Sequence, residues 1–238
     1  MKADKRLIVA LDVPGLGEMK ALVTKLGDAV QYYKVGMELF YGAGAEAIQF
    51  LRGQGKEVFL DLKMHDIPNT VAQSAKVLTG LGASMFNIHA IGGTAMMAAT
   101  AAAVRETAET LQVDRPKLIA VTVLTSMDAA EWSRLGYQVP IGEQALHLAK
   151  LARQAGLDGV VASPQEAPQI RRECGPEFLI VTPGVRPAGS AANDQSRTAT
   201  PAGALAAGAS HLVIGRPITA ASDPQAAAVA IIREMEGN

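Results

Sequence analysis

The sequence contains one cysteine, Cys174, among its 238 residues. A single cysteine excludes an intrachain disulfide framework, so we expect a reducing, cytoplasmic location. No apolar run reaches the roughly 18 residues that a membrane span needs, and nothing after Met1 resembles a signal peptide. The net charge is only −1, with acidic and basic residues mixed along the chain. The composition therefore gives no indication of binding to nucleic acid or to a membrane.

Apolar residues, by contrast, make up 49% of the chain, which is enough to bury a large core. Short, nearly continuous apolar runs recur between longer amphipathic stretches. Such runs are typical of parallel strands that are buried on both faces, so each predicts a β-strand. The runs are 6–13, 32–39, 57–63, 85–90, 117–125, 159–163, 178–185 and 211–215.

Helix start signals lie between these runs. Pro68 opens one amphipathic stretch, which Gly82 can close, and Pro224 opens the last one. Eight alternations of strand and helix over about 240 residues predict an α/β fold, a (β/α)8 TIM barrel in a single domain. An open doubly wound sheet is the alternative. It is disfavoured because no G-x-G-x-x-G fingerprint follows the first strand.

Two long stretches without apolar periodicity, 126–142 and 186–199, each follow a predicted strand. In a barrel, connections from strand to helix lie on the catalytic face. We therefore expect both stretches to be mobile loops that border the active site.

Charged side chains mark the ends of the first three predicted strands: Asp12, then Lys34, then Asp61 and Lys63 with Asp66 just beyond. Residues two apart on a strand share a face, so Asp61 and Lys63 should point the same way. Solvated surface charges would explain one such pair. Three consecutive strands that end in charge favour a catalytic array, because unpaired buried charges cost several kcal/mol.

A second cluster follows the last two predicted strands, with GVRP at 184–187 and GRP at 215–217. Loops at these two positions of a barrel commonly bind phosphate through backbone N–H groups. Arg216 would add a bidentate donor. A plain turn with a solvated arginine is the alternative, but the position after the eighth strand favours a phosphate site.

Taken together, these motifs resemble bacterial orotidine 5′-phosphate decarboxylases. The resemblance rests on DLKMHDIPNT at 61–70 together with ALD, KVGMELF, AVTVLTSM, TPGVRP and IGRPI, which span residues 10–218. The D-x-K-x-x-D pattern alone also occurs in hexulose-phosphate synthases. The DIPNT continuation, combined with TPGVRP and the later Gln195, is specific.

The resemblance implies decarboxylation of orotidine 5′-monophosphate to uridine 5′-monophosphate, the last step of de novo pyrimidine synthesis, with neither a cofactor nor a metal. It implies that Lys63 protonates C6 and that Asp61 lies against the departing carboxylate. Lys34 and Asp66 would complete the charged network.

The resemblance also assigns binding roles. Asp12 and Lys34 would contact the ribose hydroxyls, and Thr125 would contact the pyrimidine. The groups expected at the phosphate are Arg186, Gln195, Gly215 and Arg216. A homodimer is implied, because Asp66 and Thr70 of this family reach into the neighbouring subunit's site.

Two other functions are compatible with the same scaffold. One is a phosphosugar aldolase or decarboxylase that uses a divalent metal to stabilise an enediolate. The other is a barrel that binds phosphate without catalysis, which would leave the aspartate–lysine array without a purpose.

Overall fold

The computed structural model describes residues 3–187 and 199–237, and its parallel strands close into a barrel. The strands follow one another around the barrel in chain order, and β8 pairs with β1. The predicted TIM barrel is therefore confirmed. The strands are β1 (Leu7–Ala10), β2 (Tyr32–Gly36), β3 (Glu57–Met64), β4 (Met85–His89), β5 (Lys117–Val121), β6 (Gly159–Val161), β7 (Leu179–Thr182) and β8 (His211–Ile214).

Helices follow the strands and pack on the outside of the barrel. Among the described residues, no helix is long and apolar enough to cross a membrane. The helices are α1 (Leu16–Leu26), α2 (Met37–Ala43), α3 (Ala45–Gly53), α4 (Pro68–Gly80), α5 (Gly93–Leu111), α6 (Ala129–Arg134), α7 (Ile141–Gln154), α8 (Ala167–Cys174), α9 (Pro201–Ala206), α10 (Arg216–Thr219) and α11 (Pro224–Met235).

The start of α11 shows how the sequence sets a helix boundary. Asp223 accepts a hydrogen bond from the Ala226 N–H at 2.9 Å, and Pro224 occupies the first helical position. The side chain satisfies a backbone donor that has no partner within the helix, and proline sits where its missing N–H is not needed. The start predicted at Pro224 is confirmed.

The barrel interior is a layer of apolar side chains that continues into a polar layer. The inward-facing apolar residues are Ile8, Tyr32, Phe59, Met85, Ile119, Val181 and Val213. Side chains alternate along a strand, so the residue two positions further on points the same way. On β2, β3 and β4 those residues are Lys34, Asp61 and Asn87. The polar layer therefore lies nearer the carboxyl ends of the strands.

At the amino-terminal ends of the strands, an ion pair connects the residues that precede β5 and β6. Arg115 donates to both carboxylate oxygens of Asp158, at 2.6 and 2.8 Å, and the Leu118 N–H donates at 2.9 Å. Burial alone would raise the pKa of Asp158, but these hydrogen bonds and the nearby positive charge of Lys117 hold it below its ordinary value of 3.8. The ionised form is thus favoured in the folded state.

Asp158→Asn is expected to lower the free energy of unfolding by about 2 kcal/mol near neutral pH, because hydrogen bonds to a charged group are lost. A lowered folded-state pKa stabilises the fold above the unfolded-state value of 3.8, and the contribution disappears as the pH falls through the folded-state value. Urea denaturation at neutral pH and below about pH 3 measures this difference. Asp114→Asn, an exposed carboxylate on the same rim, is the control. A loss that is equally large in acid would contradict the prediction.

Candidate active site

Four charged side chains meet at the mouth of the barrel in a continuous chain of ion pairs. Lys34 Nζ lies 2.9 Å from Asp12 Oδ1 and 3.4 Å from Asp61 Oδ2. Lys63 Nζ donates a hydrogen bond to Asp61 Oδ1 at 2.7 Å. Four of the five charged residues singled out in the sequence, all except Asp66, are therefore brought together. Asp61 is central because it contacts both lysines.

Lys34 is buried, Asp61 is half-buried, and each stabilises the other as an ion. Burial would raise the pKa of Asp61, but the positive charges of Lys34 and Lys63 and two hydrogen bonds hold it below its ordinary value. Burial would likewise lower the pKa of Lys34, but the carboxylates of Asp61 and Asp12 raise it. Both groups are consequently charged at neutral pH.

A bulge, not a regular strand end, presents Lys63 to this array. The register between β3 and β4 shifts between Leu60 and Met64, so Asn87 alone lies opposite three residues of β3. Lys63 has a φ of 52°, in the left-handed region that residues with a Cβ rarely adopt. Asp61 and Lys63 do meet, as expected. The simple alternation of a strand is, however, not the geometry that brings them together.

Asn87 is a site residue that the sequence analysis did not single out. It is completely buried. Its Oδ1 accepts the backbone N–H of Lys63 at 2.8 Å, and its Nδ2 donates to Asp61 Oδ1 at 2.7 Å. The signal was present in the run MFNIHA, because an amide in the middle of a buried strand must find hydrogen-bond partners.

Gly36 is a second residue that the sequence analysis missed. A Cβ built at this position would lie 3.0 Å from Lys34 Nζ and 3.1 Å from Asp12 Oδ1. Any larger residue would press on the ion pair between these two side chains. Glycine at the end of β2 thus leaves the room in which Lys34 meets Asp12.

Asp66 and Thr70 are not part of this array within one chain. Both are exposed, and Asp66 Oδ1 accepts the N–H of Ile67 at 2.7 Å. Asp66 forms no ion pair with any residue in the described ranges. Ile67, a large apolar residue beside it, is 67% exposed. Within one chain, Asp66 therefore does not join the network that the sequence analysis predicted for it.

A cavity of about 170 Å³ adjoins the array on the side of β7, β8 and β1, and Asp12, Lys34, Arg186, Gly215 and Arg216 are among its lining residues. Burial lowers the pKa of Arg186, and the nearby charge of Arg216 lowers it further. The buried Nε of Arg186 has no hydrogen-bond partner among the described residues. Two like charges that face one small cavity make it suited to an anion.

Not every cavity is related to this site. A larger one, about 690 Å³, opens at the opposite end of the barrel, where Arg115 and Lys117 are among its lining residues. None of the predicted site residues borders it. Active sites of TIM barrels lie at the carboxyl ends of the strands, so position outweighs size here.

Gln195 lies outside the described residues. The residues on either side of the undescribed segment meet beside the cavity: Val185 pairs with Ala199, and the Arg186 N–H donates to the Ala199 carbonyl at 2.9 Å. The predicted role of Gln195 at the phosphate therefore stays a prediction. The mobility expected for 186–199 stays a prediction.

The stretch 126–142, expected to be irregular, contains helix α6. Trp132 on this helix is buried, stacks on Tyr137 with ring centroids 3.9 Å apart, and donates to the Val139 carbonyl at 2.7 Å. Thr125, the predicted pyrimidine contact, is buried just before this stretch. The aromatic stack gives the stretch a packed core of its own.

Two histidines, His65 and His89, lie near Lys63. The rings of His65 and His89 are 5.5 Å apart, and His89 is half-buried. Burial lowers the pKa of His89, as do the charges of His65 and Lys63, so its neutral form dominates at pH 7. Within the described part of the chain, no group of three or more His, Cys, Asp or Glu residues is placed to hold a metal ion.

A closed parallel barrel with this charged array at the carboxyl ends of its strands defines a (β/α)8-barrel enzyme. The chain belongs to the orotidine 5′-phosphate decarboxylase / HUMPS family, whose sequence model matches residues 5–231.

Relatives match over nearly their whole length. The orotidine 5′-phosphate decarboxylase of Moorella thermoacetica is 56% identical over 237 residues, which are 99% of this chain and 94% of that protein. The enzyme of the same name from Halorhodospira halophila is 53% identical over 97% of this chain and 95% of that protein. The crystal structure of orotidine 5′-phosphate decarboxylase from Lactobacillus acidophilus superimposes with a TM-score of 0.86 at 44% identity, covering 98% of this chain and 99% of that one.

Proposed function

We propose that the protein decarboxylates orotidine 5′-monophosphate to uridine 5′-monophosphate in pyrimidine biosynthesis, without a cofactor. Relatives with 48 to 56% identity and the corresponding name support this activity. The observation that carries the chemical part of the proposal is the chain of ion pairs from Asp12 through Lys34 and Asp61 to Lys63.

The proposed reaction requires electrostatic stabilisation of the negative charge that develops on C6. When the bond between C6 and the carboxylate breaks, CO2 leaves and the electron pair stays on C6, in the plane of the ring. No π-system can accept this charge, and enzymes usually solve such a problem with a cofactor that acts as an electron sink. A fixed ammonium group beside C6 is the alternative, and it acts most strongly where water is excluded.

Lys63 is the group that we assign to this role. Its ammonium group stabilises the developing negative charge and then transfers a proton to C6, which yields uridine 5′-monophosphate and a neutral lysine that solvent reprotonates. Asp61 holds the Lys63 ammonium at 2.7 Å before substrate binds and lies against the departing carboxylate. Lys34 keeps Asp61 ionised, and Asp12 and Lys34 contact the ribose.

One assay separates this function from the alternatives. Purified protein with excess chelator is mixed with orotidine 5′-monophosphate, and the ultraviolet absorbance change is followed. Turnover that is insensitive to the chelator supports the proposal. Turnover that the chelator abolishes would indicate metal-assisted chemistry, and tight nucleotide binding without turnover would indicate a non-catalytic barrel.

We further propose that the arginine-lined cavity binds the phosphate through Arg186, Gly215 and Arg216. Gln195, which lies outside the described residues, would be a fourth contact. Thr125 would contact the pyrimidine. The phosphate is remote from C6, so its binding energy accelerates the reaction only by ordering and closing the site around the substrate.

Arg216→Ala is expected to lower kcat/KM for the nucleotide by about 100-fold or more, because a charge-assisted contact to the phosphate is lost. The slow decarboxylation of the phosphate-free nucleoside should scarcely change. Parallel assays on the two substrates measure both rates, with Arg134→Ala, an exposed arginine on α6, as the control. Equal losses on both substrates would show that Arg216 is structural.

Finally, we propose a homodimer in which Asp66 and Thr70 complete the partner's site. Their exposure and the missing ion pair of Asp66 among the described residues support this arrangement. A carboxylate from the partner near Lys63 would place the ammonium between two anions, which favours its charged form.

A further inference from the structure

We propose that Asn87 is the positioning residue of the reaction, because its one amide fixes both the backbone of Lys63 and the carboxylate of Asp61. The proposal rests on the proposed function only for its kinetic consequences. The geometric part stands on the two hydrogen bonds and on the bulge of β3.

The first argument comes from the backbone of Lys63. The bulge removes three residues of β3 from the regular ladder with β4, so the Lys63 N–H needs another acceptor. Asn87 Oδ1 supplies it at 2.8 Å. A left-handed conformation costs a residue with a Cβ free energy and persists only where its surroundings hold it. The amide oxygen of Asn87 is the contact that holds it here.

The second argument comes from the carboxylate of Asp61. Asn87 Nδ2 donates to Asp61 Oδ1 at 2.7 Å, and the same oxygen accepts the Lys63 ammonium proton at 2.7 Å. The other oxygen, Oδ2, faces Lys34 at 3.4 Å. The amide thereby fixes the rotation of the carboxylate, which decides which oxygen faces which lysine.

The chemistry of the amide makes it suited to this position. It offers an acceptor oxygen and a donor NH2 group that point in different directions, and neither group titrates. Asn87 is completely buried, so its orientation is set by packing as well as by the two bonds. An uncharged group also leaves the charge balance of the lysines and aspartates unchanged.

Asn87→Ala tests the proposal directly. We expect kcat to fall by about 100-fold. A buried hydrogen bond to the charged Asp61 is lost, and the Lys63 ammonium is no longer held in position beside C6. KM should change by less than about threefold, since Asn87 is a positioning residue and the binding groups remain. In a crystal structure of the variant, Lys63 should leave the left-handed region.

Asn87→Asp supplies a second, nearly isosteric variant. Its protonated carboxyl group can donate to Asp61 and accept from the Lys63 N–H as the amide does, whereas its ionised form repels Asp61. Two adjacent carboxylates share a proton, which raises the pKa of the pair. The other titratable groups nearby are Lys63, whose N–H bonds to Asn87, Lys34, on the other oxygen of Asp61, and His89 of the same strand. The rate relative to the parent protein should therefore rise about tenfold as the pH is lowered from about 8 to 5.

The control is Thr79→Ala, which removes a buried hydroxyl that, within the described ranges, donates to the Ala75 carbonyl of its own helix. It should lower stability without changing kcat. An Asn87→Ala variant that keeps more than about a third of the parent's kcat, or an Asn87→Asp rate ratio independent of pH, would overturn the proposal. Absence of turnover in the parent protein would instead refute the proposed function, and the position of Lys63 in the variant's structure would still decide the geometric part.

Discussion

Lys63→Ala is expected to lower kcat by several orders of magnitude, with a much smaller effect on substrate affinity. The substitution removes both the ammonium charge beside C6 and the proton that C6 receives. Both interactions are strongest in the transition state, so their loss should affect the chemical step more than binding. Steady-state kinetics on orotidine 5′-monophosphate give kcat, and calorimetric titration with uridine 5′-monophosphate gives the affinity independently of turnover.

The control for this prediction is Lys76→Ala, a half-buried lysine of α4 that pairs with Glu106 at 3.4 Å and takes no part in the array. It should leave kcat unchanged. A Lys63→Ala protein that keeps more than about a tenth of the parent's rate, equivalent to ~1.4 kcal/mol of the barrier, would exclude Lys63 as the central group.

The fold could be predicted because its strands are buried on both faces, which makes each of them a continuous apolar run. The ends of the strands could not. The run 117–125 ends as a strand at Val121, and the run 32–39 passes from β2 into α2 at Met37. Apolar residues continue beyond these strands because they also line the first turn of a helix or a buried loop, and hydrophobicity alone does not distinguish the two.

The charged array was predictable for a similar reason. Charges at the ends of consecutive parallel strands must collect at one end of the barrel, so Asp12, Lys34 and Asp61 could be placed together before any register was known. Asn87 could not be assigned its role in this way. Its contact to Lys63 depends on how β3 and β4 are offset, and the bulge that creates this offset has no signature in either strand alone.

Gly36 illustrates a further limit of sequence patterns. Its importance comes from Lys34, two residues earlier on the same strand, whose Nζ lies 3.0 Å from the place where a Cβ would be. A glycine after a strand is usually explained by a turn. Here, however, its φ is negative, and close approach of another side chain is the physical reason.

Asp66 shows how much can depend on a second copy of the chain. If Asp66 acts in the partner's site, Lys63→Ala and Asp66→Ala homodimers should each be inactive but should regain activity when they are mixed and re-paired. In the mixed dimer, one site contains both substitutions and the other contains neither. With random pairing of equal amounts, half of the dimers are mixed and half of their sites are intact, so we expect about one quarter of the parent's activity.

The experiment uses two affinity tags, so that dimers carrying both chains can be isolated and assayed. The matched control mixes Lys63→Ala with Lys34→Ala. Lys34 and Lys63 of one chain share a site, since both contact Asp61, so every site of that mixed dimer keeps one substitution and activity should not return. Doubly tagged dimers of Lys63→Ala and Asp66→Ala that stay inactive would show that each chain's site is self-contained. Recovery in the first mixture alone would establish that Asp66 crosses to the partner, because no arrangement confined to one chain restores an intact site from these two variants.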